Sequence, residues 1–326
     1  MKKRILKILK ILSIILVALA LFITVLSIRH HFKSKSDREL FIDAYGEFYT
    51  TPEGERINYT IYDSSSDKVM VILPGFGCSS AHYEFDALAK DLIDLYKVII
   101  VEPLGVGLSD ETDRDRSVEN YCSELHGLMQ HLDLGSYTIL GHSISGVYIL
   151  DYANRYPNEV EAFIGIDATL PRQWEICPKA ALPENQYKQD IILKYLLVNT
   201  GIYRFLTELS FDEYLKGIPT ITNDEKPIVL AMYCTDQLRP TQLREMKSLR
   251  ANSEACLNEK FPESIPVLYL LSEDNCNLMS EWDDIHEEVI VNPSSRVTIL
   301  KGGHYLHLDN REGVVEEIRK FANQYR

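Results

Sequence analysis

The stretch SYTILGHSISG, residues 136 to 146, joins an apolar run to a cluster of small residues. The β-branched and aromatic residues of SYTIL predict a buried strand. The segment VYILDYANRY that comes after the small residues predicts a helix that ends before Pro157. A serine at a tight turn between a strand and a helix exposes its hydroxyl beyond the carboxyl end of that strand. Ser143 is therefore a candidate nucleophile.

The turn around Ser143 departs at one position from the pattern G-x-S-x-G. Gly141 stands two residues before Ser143, but Ser145 stands two residues after it, and Gly146 comes one residue late. Both flanking positions must be small because the strand and the helix approach closely. Ser145 adds only a hydroxymethyl group, and Gly146 leaves the helix start uncrowded. A chance run of small residues is the alternative, but the place between a strand and a helix favours the catalytic turn.

Predicted strands and helices alternate on both sides of this turn. Apolar strand patterns occupy 57–63, 68–77, 160–167, 265–274 and 296–300, another begins at residue 96 and ends in a Gly-rich loop, and helical patterns occupy 81–95, 117–134 and 311–324. This order predicts an α/β fold with a mostly parallel, doubly wound sheet, covered by helices on both faces. Residues 51–170 and 265–326 are predicted to form this core. Residues 171–264 contain helical patterns without a clear strand, which predicts a helical cap inserted between two strands.

The amino terminus is predicted to be a membrane anchor. Residues 11 to 28 contain no charge, and as a helix at about 1.5 Å per residue they come close to the thickness of a bilayer core. We expect a transmembrane helix at about 8–28 within an anchor of residues 1–35, followed by a linker at 36–50. Five basic residues precede the apolar run and three follow it, which favours a cytoplasmic amino terminus and a catalytic domain outside the cytoplasm. The alternative is a cleaved signal peptide, but its apolar region is shorter and SIRHHF offers no good cleavage site.

Charge and cysteine content exclude other classes of protein. Residues 1–35 hold eight of the 34 basic residues, which leaves 26 against 48 acidic residues. Such an acidic body repels phosphate backbones, so nucleic acid is not an expected partner. The six cysteines form no C-x-x-C pair, which argues against a zinc site. Disulfides and buried free thiols both remain open for them.

Further catalytic groups are expected beyond the carboxyl ends of other strands, where the sites of parallel sheets form. A serine nucleophile needs a base and a pair of amide N–H groups for the developing oxyanion. Ile144, next to Ser143, supplies one amide, and Phe76 in LPGFG is expected to supply the other. The base is expected to be His304 in GGHYLH after the last strand, with His307 as its competitor.

The carboxylate behind the base has two candidates. The chain order Ser, Asp or Glu, His admits both Asp274, which ends IPVLYLLSED, and Asp167, which ends VEAFIGID. Asp274 directly precedes the final strand and His304, so we favour Asp274 and keep Asp167 as the alternative. Glu273 comes third. Each of these could also be an ordinary strand-end or helix-capping carboxylate.

LPGFG, EPLGVGLSD, GHSISG and GGHYLH together resemble the α/β-hydrolase fold family over roughly residues 50 to 326. The resemblance implies a capped serine hydrolase with Ser143 as nucleophile, His304 as base and the amides of Phe76 and Ile144 as oxyanion hole. Two departures stand out. The usual His-Gly of the oxyanion loop is Pro74-Gly75 here. The acid loop, usually G-x-x-D, reads SEDN over 272–275, which would place Asn275 at the acid position. Some capped relatives take their acid from the end of the earlier strand.

These observations predict a membrane-anchored hydrolase that cleaves an ester-like bond of a small or lipid-like substrate, without cofactor or metal. Aromatic residues of the cap would line an apolar pocket, unless they are ordinary core: Tyr187, Tyr195, Tyr203, Phe205 and Tyr214. A serine nucleophile disfavours the epoxide hydrolases and haloalkane dehalogenases, which use aspartate. An aminopeptidase, a C–C hydrolase and a non-catalytic binding protein of the same fold are the alternatives. The oligomeric state is left open by the sequence.

Overall fold

The sheet at the centre of the molecule has eight strands. The computed structural model describes residues 2–176 and 184–324, with the side chains of 184–191 left out. The strands are β1 (Glu47–Thr50), β2 (Arg56–Tyr62), β3 (Val69–Leu73), β4 (Lys97–Glu102), β5 (Tyr137–His142), β6 (Val160–Ile166), β7 (Val267–Ser272) and β8 (Arg296–Leu300). Their order across the sheet is β1-β2-β4-β3-β5-β6-β7-β8.

The strand directions bring four loops to one edge of this sheet. β1 and β2 pair antiparallel at one side, and β4, β3, β5, β6, β7 and β8 run parallel. The carboxyl ends of parallel strands lie at the same edge, so the segments after β3, β5, β6 and β8 converge there. The predicted α/β fold with a mostly parallel, doubly wound sheet is confirmed.

Helices cover both faces of the sheet. They are α1 (Lys2–Phe41), α2 (Ala81–Leu92), α3 (Val118–His131), α4 (Ser145–Arg155), α5 (Gln173–Ile176), α6 (Glu184–Asn199), α7 (Ile202–Tyr214), α8 (Lys226–Thr235), α9 (Pro240–Ala255), α10 (Glu273–Leu278), α11 (Trp282–Glu288), α12 (Leu306–Asp309) and α13 (Arg311–Gln324). One apolar core packs α3, α4 and α11 against the sheet, and a second packs α2 and α13 against the opposite face. Ser117 caps α3 through its hydroxyl, which accepts from the Asn120 amide.

The amino-terminal helix α1 is longer than the sequence pattern indicated. It runs without a break to Phe41, so residues 36–41 of the predicted linker are helical, and residues 47–50 form β1. The reason is packing, because Phe41 is buried in an apolar cluster with Phe211, Val229 and Met232. Within the described residues, α1 is long and apolar enough to cross a membrane, as a membrane span or a signal sequence would be.

The segment between β6 and β7 carries α5 to α9, which we call the inserted helices. In its described part there are helices and a short 3₁₀ turn at Leu215–Gly217 but no strand. A buried hydrogen bond connects the inserted helices to the core: the Tyr148 hydroxyl on α4 donates to Glu245 on α9 at 2.8 Å. Five cysteines in the described residues are free thiols, Cys78, Cys122, Cys234, Cys256 and Cys276, while Cys177 lies outside them.

Candidate active site

Ser143 occupies a strained turn between β5 and α4. Its φ of 52° lies in the left-handed region, which a residue with a side chain rarely adopts. The turn is held by backbone contacts: Ser143 N–H donates to the Ile166 carbonyl at 3.2 Å, and Thr169 N–H donates to the Ser143 carbonyl at 2.7 Å. Neighbouring structure therefore enforces a conformation that turns the side chain out of the helix start. Such strain is found at nucleophile turns.

The loop after β3 lies directly against Ser143. A Cβ on Gly75 would stand 3.0 Å from the Ser143 Cβ and 2.7 Å from His142 Nδ1, so only glycine permits this approach. Phe76 follows Gly75 and lines the same cavity as Ser143. Ile144 directly follows Ser143 at the start of α4 and is buried. One predicted oxyanion residue thus follows Ser143 directly, and the other belongs to the loop that packs against Ser143.

The departure from the pattern G-x-S-x-G at Ser145 and Gly146 has a structural explanation. The Ser145 hydroxyl is fully buried and donates to the Pro74 carbonyl at 2.7 Å, which ties α4 to the loop after β3. The displaced glycine is needed as well, because a Cβ on Gly146 would lie 2.4 Å from the Thr169 carbonyl oxygen. Ser145 and Gly146 therefore join the segments after β3 and β6 to the nucleophile turn.

Replacing Ser145 with glycine, which completes G-x-S-x-G, is expected to destabilise the protein. The change leaves the buried Pro74 carbonyl without its donor, at a cost of about 1–3 kcal/mol in the free energy of unfolding. Urea unfolding monitored by circular dichroism measures this loss. Ser145→Ala is the matched control, since it removes the same hydroxyl without adding a helix glycine. Unchanged unfolding midpoints in both variants would show that the hydrogen bond from Ser145 to Pro74 does not stabilise the protein.

His304 contacts a carboxylate at the end of β6. Its Nδ1 lies 2.7 Å from Asp167 Oδ2. An ionised carboxylate only accepts hydrogen bonds, so Nδ1–H donates and Nε2 of the neutral ring is left as the basic nitrogen. Asp167 is completely buried, and it also accepts from Ser272 N–H at 2.9 Å and from Trp282 Nε1–H at 3.1 Å. These donors satisfy a charge that would otherwise be costly to bury.

The contact of His304 with Asp167 corrects our preference for Asp274. Asp274 lies in the first turn of α10, and its backbone N–H faces the Gly302 carbonyl at 3.4 Å. Asp167 instead stands at a left-handed turn, φ 40°, that begins one residue after β6. Asn275, the residue at the usual acid position, donates its side-chain amide to Asp167 Oδ2. The usual acid position thus holds a donor that supports the carboxylate from the neighbouring strand.

Sequence comparison identifies the family of this chain. The model of the α/β-hydrolase family matches residues 70–317, well over half of the chain. The chain belongs to the α/β-hydrolase family. It is similar over its length to the uncharacterized protein YbdG of Bacillus subtilis, with 24% identity over 332 residues that cover 99% of this chain and 100% of that protein. Lipase 3 of Moraxella sp. is 23% identical over 300 residues, 90% of this chain and 85% of that protein.

A solved structure has the same fold. A carboxylesterase from the thaumarchaeon Nitrososphaera gargenis superposes with a TM-score of 0.61 at 16% identity, over 86% of this chain and 98% of that one. The resemblance drawn from GHSISG and its companion motifs is confirmed, and family membership supports a hydrolase.

His142 has a positioning role in this α/β hydrolase that sequence reasoning missed. Its Nε2 lies 3.0 Å from the His304 carbonyl, which can only accept, so Nε2–H donates. Burial, together with the nearby rings of His307 and His304, lowers the pKa of His142 well below its usual value. The ring therefore stays neutral and holds the backbone of His304. The sequence contained one indication of this contact, namely that His142 directly precedes Ser143. The end of β5 places His142 next to the loop after β8.

His307, the competing base, faces away from Asp167. Its Nε2 lies 3.1 Å from Glu84 Oε1, both side chains are buried, and its ring stacks on Phe85 with centroids 4.4 Å apart. Glu84, His142 and His307 could hold a metal, since each offers a ligand atom within 4.8 Å of the others. The expectation that no metal or cofactor takes part stays a prediction.

A cavity of about 550 Å³ opens over Ser143 and His304. Of the aromatic residues predicted to line it, Tyr203 and Tyr214 do, together with Phe211 of the same helix α7. Phe205 instead packs on α1, and Tyr195 is exposed. The side chain of Tyr187 lies outside the described residues. Helix α7 thus contributes much of the lining of the cavity that Ser143 and His304 share.

Proposed function

We propose that this protein is a membrane-anchored serine hydrolase that cleaves an ester-like bond through an acyl-enzyme. The contact of His304 with the buried Asp167, next to a strained Ser143 in one cavity, carries the proposal. A free serine hydroxyl is a weak nucleophile, and it needs a base whose tautomer is held by a third group. These three residues have the required chemistry in the required chain order for this family.

In the proposed reaction, His304 Nε2 takes the proton of the Ser143 hydroxyl as its oxygen attacks the ester carbonyl. Asp167 holds the Nδ1–H tautomer and stabilises the imidazolium that forms, while staying ionised. The imidazolium then protonates the leaving alcohol, and the acyl group remains on Ser143. A water molecule, deprotonated by His304, releases the acid and restores Ser143.

The oxyanion of each tetrahedral intermediate is proposed to accept from the backbone N–H groups of Phe76 and Ile144. Preorganised amides of this kind stabilise the developing charge, and removing one such donor typically costs 10²–10³-fold in rate. The hydrogen bond from Ser145 to Pro74 supports the proposal, because it fixes the loop of Phe76 against the helix that Ile144 begins.

An ester-like substrate is favoured by the cavity and by the relatives. Aromatic side chains of α7 offer an apolar wall for an acyl chain, and the similar proteins include one named a lipase. The inserted helices would act as the cap over this cavity. The membrane placement rests on α1 and on its basic flanks, which favour a single span with a cytoplasmic amino terminus and the catalytic domain outside.

A fluorophosphonate probe tests the enzyme class directly. The wild-type protein is expected to react and to carry the phosphonyl group on the peptide that contains Ser143, as read by mass spectrometry. Ser143→Ala should abolish labelling, while Ser210→Ala, which changes another serine lining the cavity, should leave it intact. An unlabelled, folded wild-type protein would refute the serine hydrolase and favour a binding protein of this fold.

A further inference from the structure

The helix α7 lies across the apolar part of α1. The rings of Phe205 and Phe22 meet edge to face with centroids 5.8 Å apart. Gly201 approaches the Leu26 carbonyl so closely that a Cβ would stand 2.5 Å from its oxygen. At about 1.5 Å per residue, Phe22 lies roughly 9 Å inside the end of the uncharged run at residue 28. The beginning of α7 is therefore level with the last turns of the proposed membrane span.

Polar contacts hold α7 at this level. Arg204 is buried and forms an ion pair with the buried Asp37, 2.6 Å between Nη1 and Oδ2, and it also donates to Ser34 at 3.0 Å. Arg29 and Glu208 form a second pair at 2.8 Å. Breaking a buried ion pair leaves an uncompensated charge, so α7 and α1 are coupled as one unit. The charges of α7 that face α1 are thus neutralised.

The α6–α7 hairpin exposes several large apolar side chains in its described part. The side chains that share this feature are Ile192, Leu193, Tyr195, Leu196, Leu206 and Leu209, with Leu206 53% and Leu209 71% exposed. Exposed apolar side chains grouped on two packed helices indicate an interaction site. Because α7 packs on α1 at Phe22 and Leu26, within the proposed membrane span, the partner is the bilayer that would surround α1. Interfacial helices bury their apolar face about 5–10 Å into the headgroup boundary.

The same helix forms a wall of the catalytic cavity. Tyr203, Thr207, Ser210, Phe211 and Tyr214 of α7 line the space over Ser143. One helix therefore separates that space from the surface described above. Resting on the proposed function, we propose that the α6–α7 hairpin lies in the extracytoplasmic leaflet and that the enzyme takes a long-chain acyl ester directly from that leaflet.

The test compares two esters with the same leaving group, using the full-length protein in phosphatidylcholine vesicles. 4-Methylumbelliferyl oleate is embedded in the vesicles, and 4-methylumbelliferyl butyrate is added in solution. The double variant Leu206→Glu and Leu209→Glu is expected to lose roughly tenfold or more on the oleate while its butyrate rate stays within about twofold, since two exposed leucines that the proposal places in the bilayer would be replaced by charges. Val291→Glu is the matched control, an exposed residue in the loop before β8 at the opposite end of the sheet.

The outcomes separate the two proposals. A wild-type protein that cleaves neither ester refutes the serine hydrolase itself. A wild-type protein that cleaves only butyrate, or a double variant with an unchanged oleate-to-butyrate ratio, overturns the lipid inference alone. A second readout needs no catalysis. Leu209→Trp should be quenched by brominated phosphatidylcholine and Val291→Trp should not, with the two native tryptophans as a common background. Equal quenching of the two variants would overturn the proposed depth of α7.

Discussion

Replacing Asp167 with asparagine is expected to lower kcat by about 10⁴-fold. The carboxylate now accepts from His304 Nδ1–H at 2.7 Å, which leaves Nε2 free to take a proton. An asparagine amide at this place can donate to Nδ1, and the imidazole would then carry its proton on Nε2, where it cannot act as a base. Steady-state hydrolysis of a soluble 4-methylumbelliferyl ester measures the loss. Thermal unfolding of the same sample verifies that the variant is folded.

Asp274→Asn is the matched control, because it makes the same chemical change at the residue that chain order favoured. Its kcat is expected to stay within a few-fold of the wild-type value, since the hydrogen bond to His304 comes from Asp167. Loss of several orders of magnitude in Asp274→Asn, with Asp167→Asn nearly unchanged, would restore Asp274 as the acid. Asn275→Ala should have an intermediate effect, because it removes one donor to Asp167 and leaves the pair with His304 in place.

The sequence was sufficient to predict every strand of the sheet except β1, and the turn of Ser143, because both depend on local pattern. The apolar runs identified the strands, and the strand-to-helix change around GHSISG identified the turn without a perfect motif. His304 could be named for the same reason, since it follows the last strand. Ser145 was correctly judged small enough, but its hydrogen bond to Pro74 joins residues 71 positions apart and has no local signal.

Choosing between Asp167 and Asp274 required the geometry of the sheet. Both follow neighbouring parallel strands, β6 and β7, so chain order and strand position could not separate them. The difference lies in one backbone turn, φ 40° at Asp167, and in donors from Ser272 and Trp282 that are distant in sequence. Asn275 at the usual acid position was a sequence indication in favour of Asp167. The closeness of Asp274 to His304 along the chain was given more weight.

The extent of α1 was missed because its last turns are polar. Residues 29–40 carry charges and were predicted as the end of an anchor followed by the start of a linker, yet Asp37 is buried against Arg204, 167 residues away. A polar helical surface that is covered by a distant segment cannot be distinguished by pattern from one in water. This contact also explains why the predicted linker is largely ordered, since the inserted helices hold α1 beyond the proposed membrane span.

His304→Ala is expected to lower kcat by about 10⁶-fold, because the Ser143 hydroxyl then has no base. His307→Gln is the control at the competing histidine. It should weaken folding, because the buried ring that stacks on Phe85 and contacts Glu84 is lost, but the folded protein should keep kcat within about tenfold of the wild-type value. A loss in folded His307→Gln that equals the loss in His304→Ala would contradict the assignment of the base. In the proposed mechanism Ser143 and His304 act in one proton transfer, so the double variant Ser143→Ala, His304→Ala should lose no more kcat than either single variant.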